Sequence, residues 1–264
     1  MQTNKVIDGI DVIIEGEGER TMVMVHGWPD TYRVWDAQVA SFKAHYRCVR
    51  FTLPGFDSSK PRRAYGLEEM MGIFANIVNA VSPNDKVIML MHDWGAAFGY
   101  QFCMRYPHRV ERMVGVDIGD TGSPQYFQSL HWKAKLGVAA YQLTLALAWK
   151  LGGGLGTRMT RGMAKLLQAP SQAEFITANM NFPYYIFWTG AHGSYRGMRP
   201  LDPPCPMLFF YGRKKPFMFH SPQWVQALSE RSGSKVLPFD TDHWPMVRQP
   251  QAFNLAVLQW LAQP

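Results

Sequence analysis

The sequence predicts an α/β fold: a mostly parallel central sheet flanked by helices, with a helical segment inserted late in the chain. Three observations carry this. Short apolar runs of strand length alternate with segments of helix length through residues 12–118, and again from 207 to the C-terminus. The run Val87-Ile88-Met89-Leu90-Met91 is continuously apolar, as a strand buried on both faces requires. Between about Gly119 and Leu201 the alternation stops, and the sequence becomes helical and rich in Trp, Tyr and Phe.

Taken in order, Val12-Ile13-Ile14 and Thr21–Val25 read as strands around the turn Gly16-Glu17-Gly18-Glu19. The second runs into His26-Gly27-Trp28-Pro29-Asp30, where Asp30 or Thr31 caps a helix over about Tyr32–Phe42. Tyr46–Phe51 is the next strand. A turn-rich loop follows, then a helix over Leu67–Val81 with its apolar stripe at Met70, Ile73, Phe74, Ile77 and Val81. The strand ending at Met91 leads through His92-Asp93-Trp94-Gly95 into a helix of small and apolar residues, Ala96–Met104. Met113–Asp117 is a further strand. After the helical stretch come a strand at Met207–Tyr211, a helix at Pro222–Ser229, a strand at Lys235–Pro238 and a last helix at Gln251–Leu261. Residues 1–118 and 202–264 therefore form one core, interrupted by an inserted unit at 119–201.

Composition narrows the function classes. With 264 residues, 47% hydrophobic and 18% charged, the chain is a soluble globular protein and not a disordered one. The longest apolar stretch, Leu136 to Trp149, is about 14 residues, too short to span a bilayer. Met1–Lys5 begins no secretory pattern, and Cys48, Cys103 and Cys205 are widely spaced in apolar surroundings. Both point to a cytoplasmic protein with reduced core cysteines and no metal site. The net charge of +7 comes mostly from scattered basic residues, so a solvated surface is expected and a nucleic-acid partner is not.

Asp93 is the residue around which chemistry would be organised. A carboxylate between a buried strand and a packed helix sits on a sharp turn, at a helix N-terminus whose N–H groups favour negative charge. The alternative reading is a helix-capping aspartate. His243, between the last strand and the last helix, can take a proton from water near neutral pH.

Three segments, His26-Gly27-Trp28-Pro29, His92-Asp93-Trp94-Gly95 and Asp242-His243-Trp244-Pro245, each follow an expected strand. In this order they resemble the α/β-hydrolase fold superfamily, in its aspartate-nucleophile branch of epoxide hydrolases and haloalkane dehalogenases. The resemblance implies an α/β-hydrolase core with a helical lid and no cofactor. It makes Asp93 a nucleophile forming a covalent ester, in place of the serine of a nucleophile elbow. It makes His243 the base for the hydrolytic step, and the backbone N–H groups of Trp28 and Trp94 the oxyanion hole. The implied partner is a small apolar substrate, an epoxide or an organohalide.

The sequence departs from the pattern twice. Met91 stands two residues before the nucleophile, where the family has a small residue. Lys215 stands in Gly212-Arg213-Lys214-Lys215-Pro216, where family epoxide hydrolases carry the acid that orients the histidine. A different branch takes its acid from the end of the preceding strand, which here is Asp117, with Asp120 the other candidate. Two lid tyrosines polarise the epoxide oxygen in the family. Tyr141 lies 48 residues after Asp93 and Tyr185 lies 30 before Lys215, close to the family spacings, with Tyr184 the alternative register. An epoxide hydrolase is thus expected first and a dehalogenase, with Trp94 and Trp28 gripping halide, second. A ligand-binding protein without turnover is the third reading.

Overall fold

A computed structural model describes residues 2–263. Eight strands form one sheet: β1 (Gln2–Ile7), β2 (Ile10–Glu15), β3 (Thr21–Val25), β4 (Arg47–Phe51), β5 (Val87–His92), β6 (Val110–Val116), β7 (Met207–Gly212) and β8 (Lys235–Phe239). Their spatial order is β1-β2-β4-β3-β5-β6-β7-β8. The β1–β2 and β2–β4 pairs are antiparallel, and every pair from β4 through β3 to β8 is parallel. The fold class expected from the sequence is the one observed.

Burial explains which strands the sequence announces. All residues of β3 and β5 are buried, and such strands read as unbroken apolar runs. Strand β1, Gln-Thr-Asn-Lys-Val-Ile, is exposed along its first five residues, and no apolar pattern marks it. It exists because it pairs in full register with β2.

Helices α1 (Asp36–Phe42), α2 (Leu67–Val81), α3 (Trp94–Arg105), α8 (Pro222–Glu230), α9 (Pro245–Arg248) and α10 (Pro250–Leu261) accompany the sheet. Two apolar cores result, one on each face. Met89, Met91, Phe74 and Phe98 belong to one; Ile88, Leu90, Trp35 and Phe253 belong to the other. Successive β5 side chains alternate between them, as the two-residue period of a strand requires.

Between β6 and β7 the chain carries α4 (Pro124–Ser129), α5 (Trp132–Leu151), α6 (Gly153–Leu166) and α7 (Phe182–Thr189). Helix α5 packs on both α6 and α7. Helix α6 begins at Gly153, within a run of three glycines that reads as loop. Its support comes from packing: a Cβ on Gly156 would lie 2.1 Å from the carbonyl oxygen of Ala148 in α5. Among the described residues no helix is long and apolar enough to cross a membrane.

Candidate active site

The parallel strands converge on one edge of the sheet, where the loops after β3, β5, β6, β7 and β8 meet. Such edges, beyond the carboxyl ends of the strands, are where open α/β sheets place ligands. The sequence candidates outside the helical insertion lie in these loops, apart from Trp94, which is the first residue of α3.

Asp93 occupies the sharp turn between β5 and α3 with φ 52° and ψ −126°. That backbone is costly for a residue with a Cβ, about 1–3 kcal/mol, and is kept only where the surroundings over-determine it. Both neighbours are fixed here. His92 is fully buried at the end of β5, and the N–H groups of Ala96 and Ala97 donate to the Asp93 carbonyl at 2.9 and 3.0 Å. The aspartate side chain caps nothing in its own helix. Instead its Oδ1 accepts the backbone N–H of Trp28 at 2.6 Å. Gly27 makes this approach possible, since a Cβ there would stand 2.4 Å from both Cβ and Oδ1 of Asp93. Met91 is accommodated in the same manner: Gly99, on the following turn of α3, leaves room that a Cβ would close to 2.4 Å from the Met91 sulfur.

His243 reaches in from the loop after β8. Asp242 shapes that loop by accepting the Trp244 N–H at 3.0 Å and Arg248 Nε at 2.8 Å. His243 Nε2 faces Asp93 Oδ2 at 3.4 Å, and Nδ1 makes a short hydrogen bond to Asp117 Oδ2. Asp117, at φ 67° just past β6, is fully buried. Its other oxygen accepts the Gly212 N–H at 2.9 Å and the Lys215 ammonium in a short ion pair. Asp120 lies elsewhere: it accepts Ser221 N at 2.7 Å, Ser221 Oγ at 2.7 Å and Ser123 Oγ at 2.5 Å. Lys215, read from the sequence as the loss of an acid, is thus the cation paired with the carboxylate that meets His243.

Electrostatics follow from this chain of groups. Burial alone would raise the pKa of Asp117, but the Lys215 and His243 charges hold it well below the usual carboxylate range. Burial would raise Asp93 too, but the hydrogen bond and charge of His243 outweigh it and hold the carboxyl below its ordinary value. Burial would depress His243, yet the charge and hydrogen bond of Asp117, with the Asp93 contact, lift it to about 9. Beneath these lie groups the sequence reading passed over. Desolvation lowers His26 to about 4 and His92 to about 3, so both are neutral. Asp30 was offered as a helix cap, but Thr31 caps the short 3-10 turn Tyr32–Trp35 that leads into α1, its Oγ1 accepting Arg33 N at 3.4 Å, while α1 itself has no side-chain cap. Asp30 is buried instead, accepting Trp244 Nε1 at 2.9 Å and Ser171 Oγ at 2.5 Å, and desolvation raises it to about 6.

The aromatic candidates divide. Trp28 sends its indole N–H to Asn181 Oδ1 at 2.8 Å, and Asn181 Nδ2 donates to Thr160 Oγ1 at 2.7 Å. That ties the loop after β3 to the helical insertion. The Trp94 ring lies among Phe98, Tyr195 and Tyr184, with centroids 5.3–5.8 Å apart. On α7, Tyr184 and not Tyr185 faces this group. Tyr184 is edge-on to Trp94 at 5.3 Å, to Tyr141 at 6.1 Å and to Trp28 at 6.2 Å, while Tyr185 stacks on Trp149 at 4.4 Å. Adjacent helical residues point about 100° apart, so only one of the two can face the site. Pro183 marks the first turn of α7 but not the face that meets the site, so the sequence held no signal separating the two tyrosines. Burial and then the charge of Asp93 raise the Tyr184 phenol well above its ordinary pKa. Tyr141 is also raised, chiefly by burial, with Asp93 adding to the effect.

Among known proteins, Epoxide hydrolase 3 of Mus musculus is 26% identical over 258 residues, covering 88% of this chain and 68% of that protein. Epoxide hydrolase 1 of Caenorhabditis elegans is 31% identical over 105 residues, 39% of this chain and 26% of that one, so the match spans only about a quarter of the worm protein. A crystal structure of an epoxide hydrolase from Bacillus megaterium with an inhibitor has a TM-score of 0.69 at 18% identity, covering 99% of this chain and all of the other. At that identity the likeness concerns the fold. The family match spans residues 22–256, from β3 into α10. It takes in every strand whose end meets at Asp93, and the chain belongs to the alpha/beta hydrolase family.

Proposed function

We propose that the protein is an epoxide hydrolase that works through a covalent ester on Asp93. One observation carries this reading: Asp93 stands on a strained turn with a main-chain donor on one oxygen and, by its other oxygen, an imidazole that is itself held by a second carboxylate. In the first step an Asp93 oxygen bonds to a ring carbon of the epoxide. The ring C–O bond breaks, and its electron pair stays on the ring oxygen. Tyr184 and Tyr141 are the phenols above the site that would donate a proton to it. Tyr184 takes the role expected of Tyr185 because it is the one that meets Trp94.

In the second step His243 removes a proton from water, and the oxygen attacks the ester carbonyl. The N–H groups of Trp28 and Trp94 hold the oxyanion that forms. Collapse breaks the ester bond, the diol oxygen takes the proton back from His243, and the proton left on Asp93 replaces the one lost by the phenol. Asp117 holds the Nδ1–H of His243 and stabilises the imidazolium. The helices between β6 and β7 act as the lid that excludes bulk water. No cofactor enters these steps.

The dehalogenase reading shares the nucleophile but needs free indole N–H groups for halide. The Trp28 indole is committed to Asn181, which favours the epoxide. A protein without turnover was suggested by Met91 and Lys215; the room left by Gly99 and the pairing of Lys215 with Asp117 remove both grounds. The test is a His243→Gln variant incubated with an aromatic epoxide and digested for mass spectrometry. A substrate-sized adduct on the peptide containing Asp93, together with diol release by the unaltered enzyme, is expected. Halide release from haloalkanes with no diol from epoxides would favour the dehalogenase. No adduct with either class would overturn the nucleophile.

A further inference from the structure

We propose that Lys215 is a positioning residue that neutralises Asp117 as His243 sees it, and so keeps His243 available as a base once Asp93 has been esterified. This rests on the reading of His243 as the hydrolytic base. The Lys215 side chain is 7% exposed and Asp117 is 0% exposed, so little water stands between them to screen the pair. Asp117 does not need the ammonium to stay in place. Oδ1 already accepts the Gly212 N–H, and Oδ2 is bonded to His243. The hydrogen bonds position the carboxylate; what Lys215 adds is a charge.

The groups facing His243 can be named from every element around it. Asp93 from the turn after β5 and Asp117 from the end of β6 carry negative charge. His92 at the end of β5 has its ring centroid 4.4 Å away and is neutral, and Asp30 acts from the loop after β3. Phe219 and Trp244 contribute rings only. In its own loop Asp242 is engaged by the Trp244 N–H and Arg248. On the Lys215 side, Arg213 is paired outward with Asp240, the Lys215 Nζ lies 5.4 Å from the Phe219 ring, and His220 is depressed by burial and by Lys215 itself.

In the free enzyme two carboxylates flank His243, and a raised pKa is natural. Ester formation removes the Asp93 charge. What remains beside the imidazole is Asp117 with Lys215, a pair with no net charge, and the pull holding the proton on His243 falls. Without Lys215 the same imidazole would face an uncompensated carboxylate. It would hold its proton to higher pH, where it cannot accept one from water.

The experiment uses Asp93→Asn as an uncharged stand-in for the ester, with histidine-labelled protein titrated by NMR. Removing the charge with Lys215→Met in that background raises the pKa of His243 by about one unit or more. Lys215→Arg, which keeps the charge, leaves it within about 0.3 unit. Lys215→Gln serves if the methionine variant does not fold, since it keeps a donor for Oδ1 and loses only the charge. An unchanged His243 pKa in the neutral variants would overturn the proposal. With Asp93 restored, the acid limb of single-turnover ester hydrolysis moves up by a similar amount in the neutral variants; a limb that stays in place also overturns it. Absence of any adduct on Asp93 in the His243→Gln variant would sink the hydrolase reading alone, because the NMR titration still decides the role of Lys215.

Discussion

Tyr184 shows how much of the proposed chemistry hangs on one side chain's direction. Its ring meets Trp94, Trp28 and Tyr141, while Tyr185 turns to Trp149. Tyr184→Phe is therefore expected to slow ester formation about 100- to 1,000-fold in single-turnover measurements, the range for losing one positioned donor to a developing oxyanion. Tyr185→Phe should stay within about twofold. The reverse ranking would return the role to Tyr185. Asp93 and His243 were legible because each sits in a short motif directly after a strand, where one-residue precision is available. Tyr184 was not, since spacing along a helical insertion gives distance without phase. Lys215 was legible as a departure, but its partner was not. An ion pair joining residues 117 and 215 follows from the neighbouring positions of β6 and β7 in the sheet, which local sequence does not display.

At the scale of elements, β5 and α3 are fitted to each other through Met91 and Gly99. Gly99→Ala improves helix propensity by about 1 kcal/mol but drives a methyl to within 2.4 Å of the Met91 sulfur. The net expected in urea unfolding is destabilisation of about 1–2 kcal/mol. Met91→Ala combined with Gly99→Ala should cost less than the two changes summed, because the methyl then enters vacated space. Strict additivity would mean that the turn does not depend on this contact. The same scale explains which elements the sequence announces. Helix α2, with buried Met70, Ile73, Phe74, Ile77 and Val81, has the boundaries its periodicity predicts. Strand β1 and helix α6 owe their existence to a pairing partner and to a neighbouring helix. Strand β1 leaves no local signature, whereas in α6 the apolar spacing of Leu155, Met159 and Met163 is legible and only its glycine start is not.

For the whole molecule, the buried titratable groups define a window of acid stability. His26 and His92 are neutral in the fold, with pKa values near 4 and 3, but take protons near 6.5 when unfolded. Their contribution is complete above 6.5 and is lost as pH falls toward those lower values, at about 1.4 kcal/mol per unit of displacement for each group. Asp30, raised to about 6, works in the opposite sense and returns part of the loss between pH 6 and 4. Asp117, held low, adds a further loss below its ordinary range. His243, raised to about 9, contributes stability below 6.5 that disappears as pH rises toward 9. A maximum Tm near pH 6–7 is expected, with a decline on both sides and a net loss of a few kcal/mol by pH 4. Differential scanning fluorimetry across pH 4–9 checks this; a flat profile between 6.5 and 4 would show that the two histidines are not buried neutral.

Trp28 also sets a mechanical condition on the molecule. Its main chain grips Asp93 and its indole grips Asn181, one residue before α7. The roof and the floor of the site are thus pinned at a common point, in a place with no water ready to replace a broken hydrogen bond. A hinge that lifted the whole insertion would have to break that pin first. A doorway for substrate is cheaper to open by side-chain rotation along α5, where Leu136, Leu143 and Leu147 are exposed, while the end of α7 beside Asn181 stays fixed. Traffic through the enzyme can then proceed without unseating the donor that the proposed ester hydrolysis needs next.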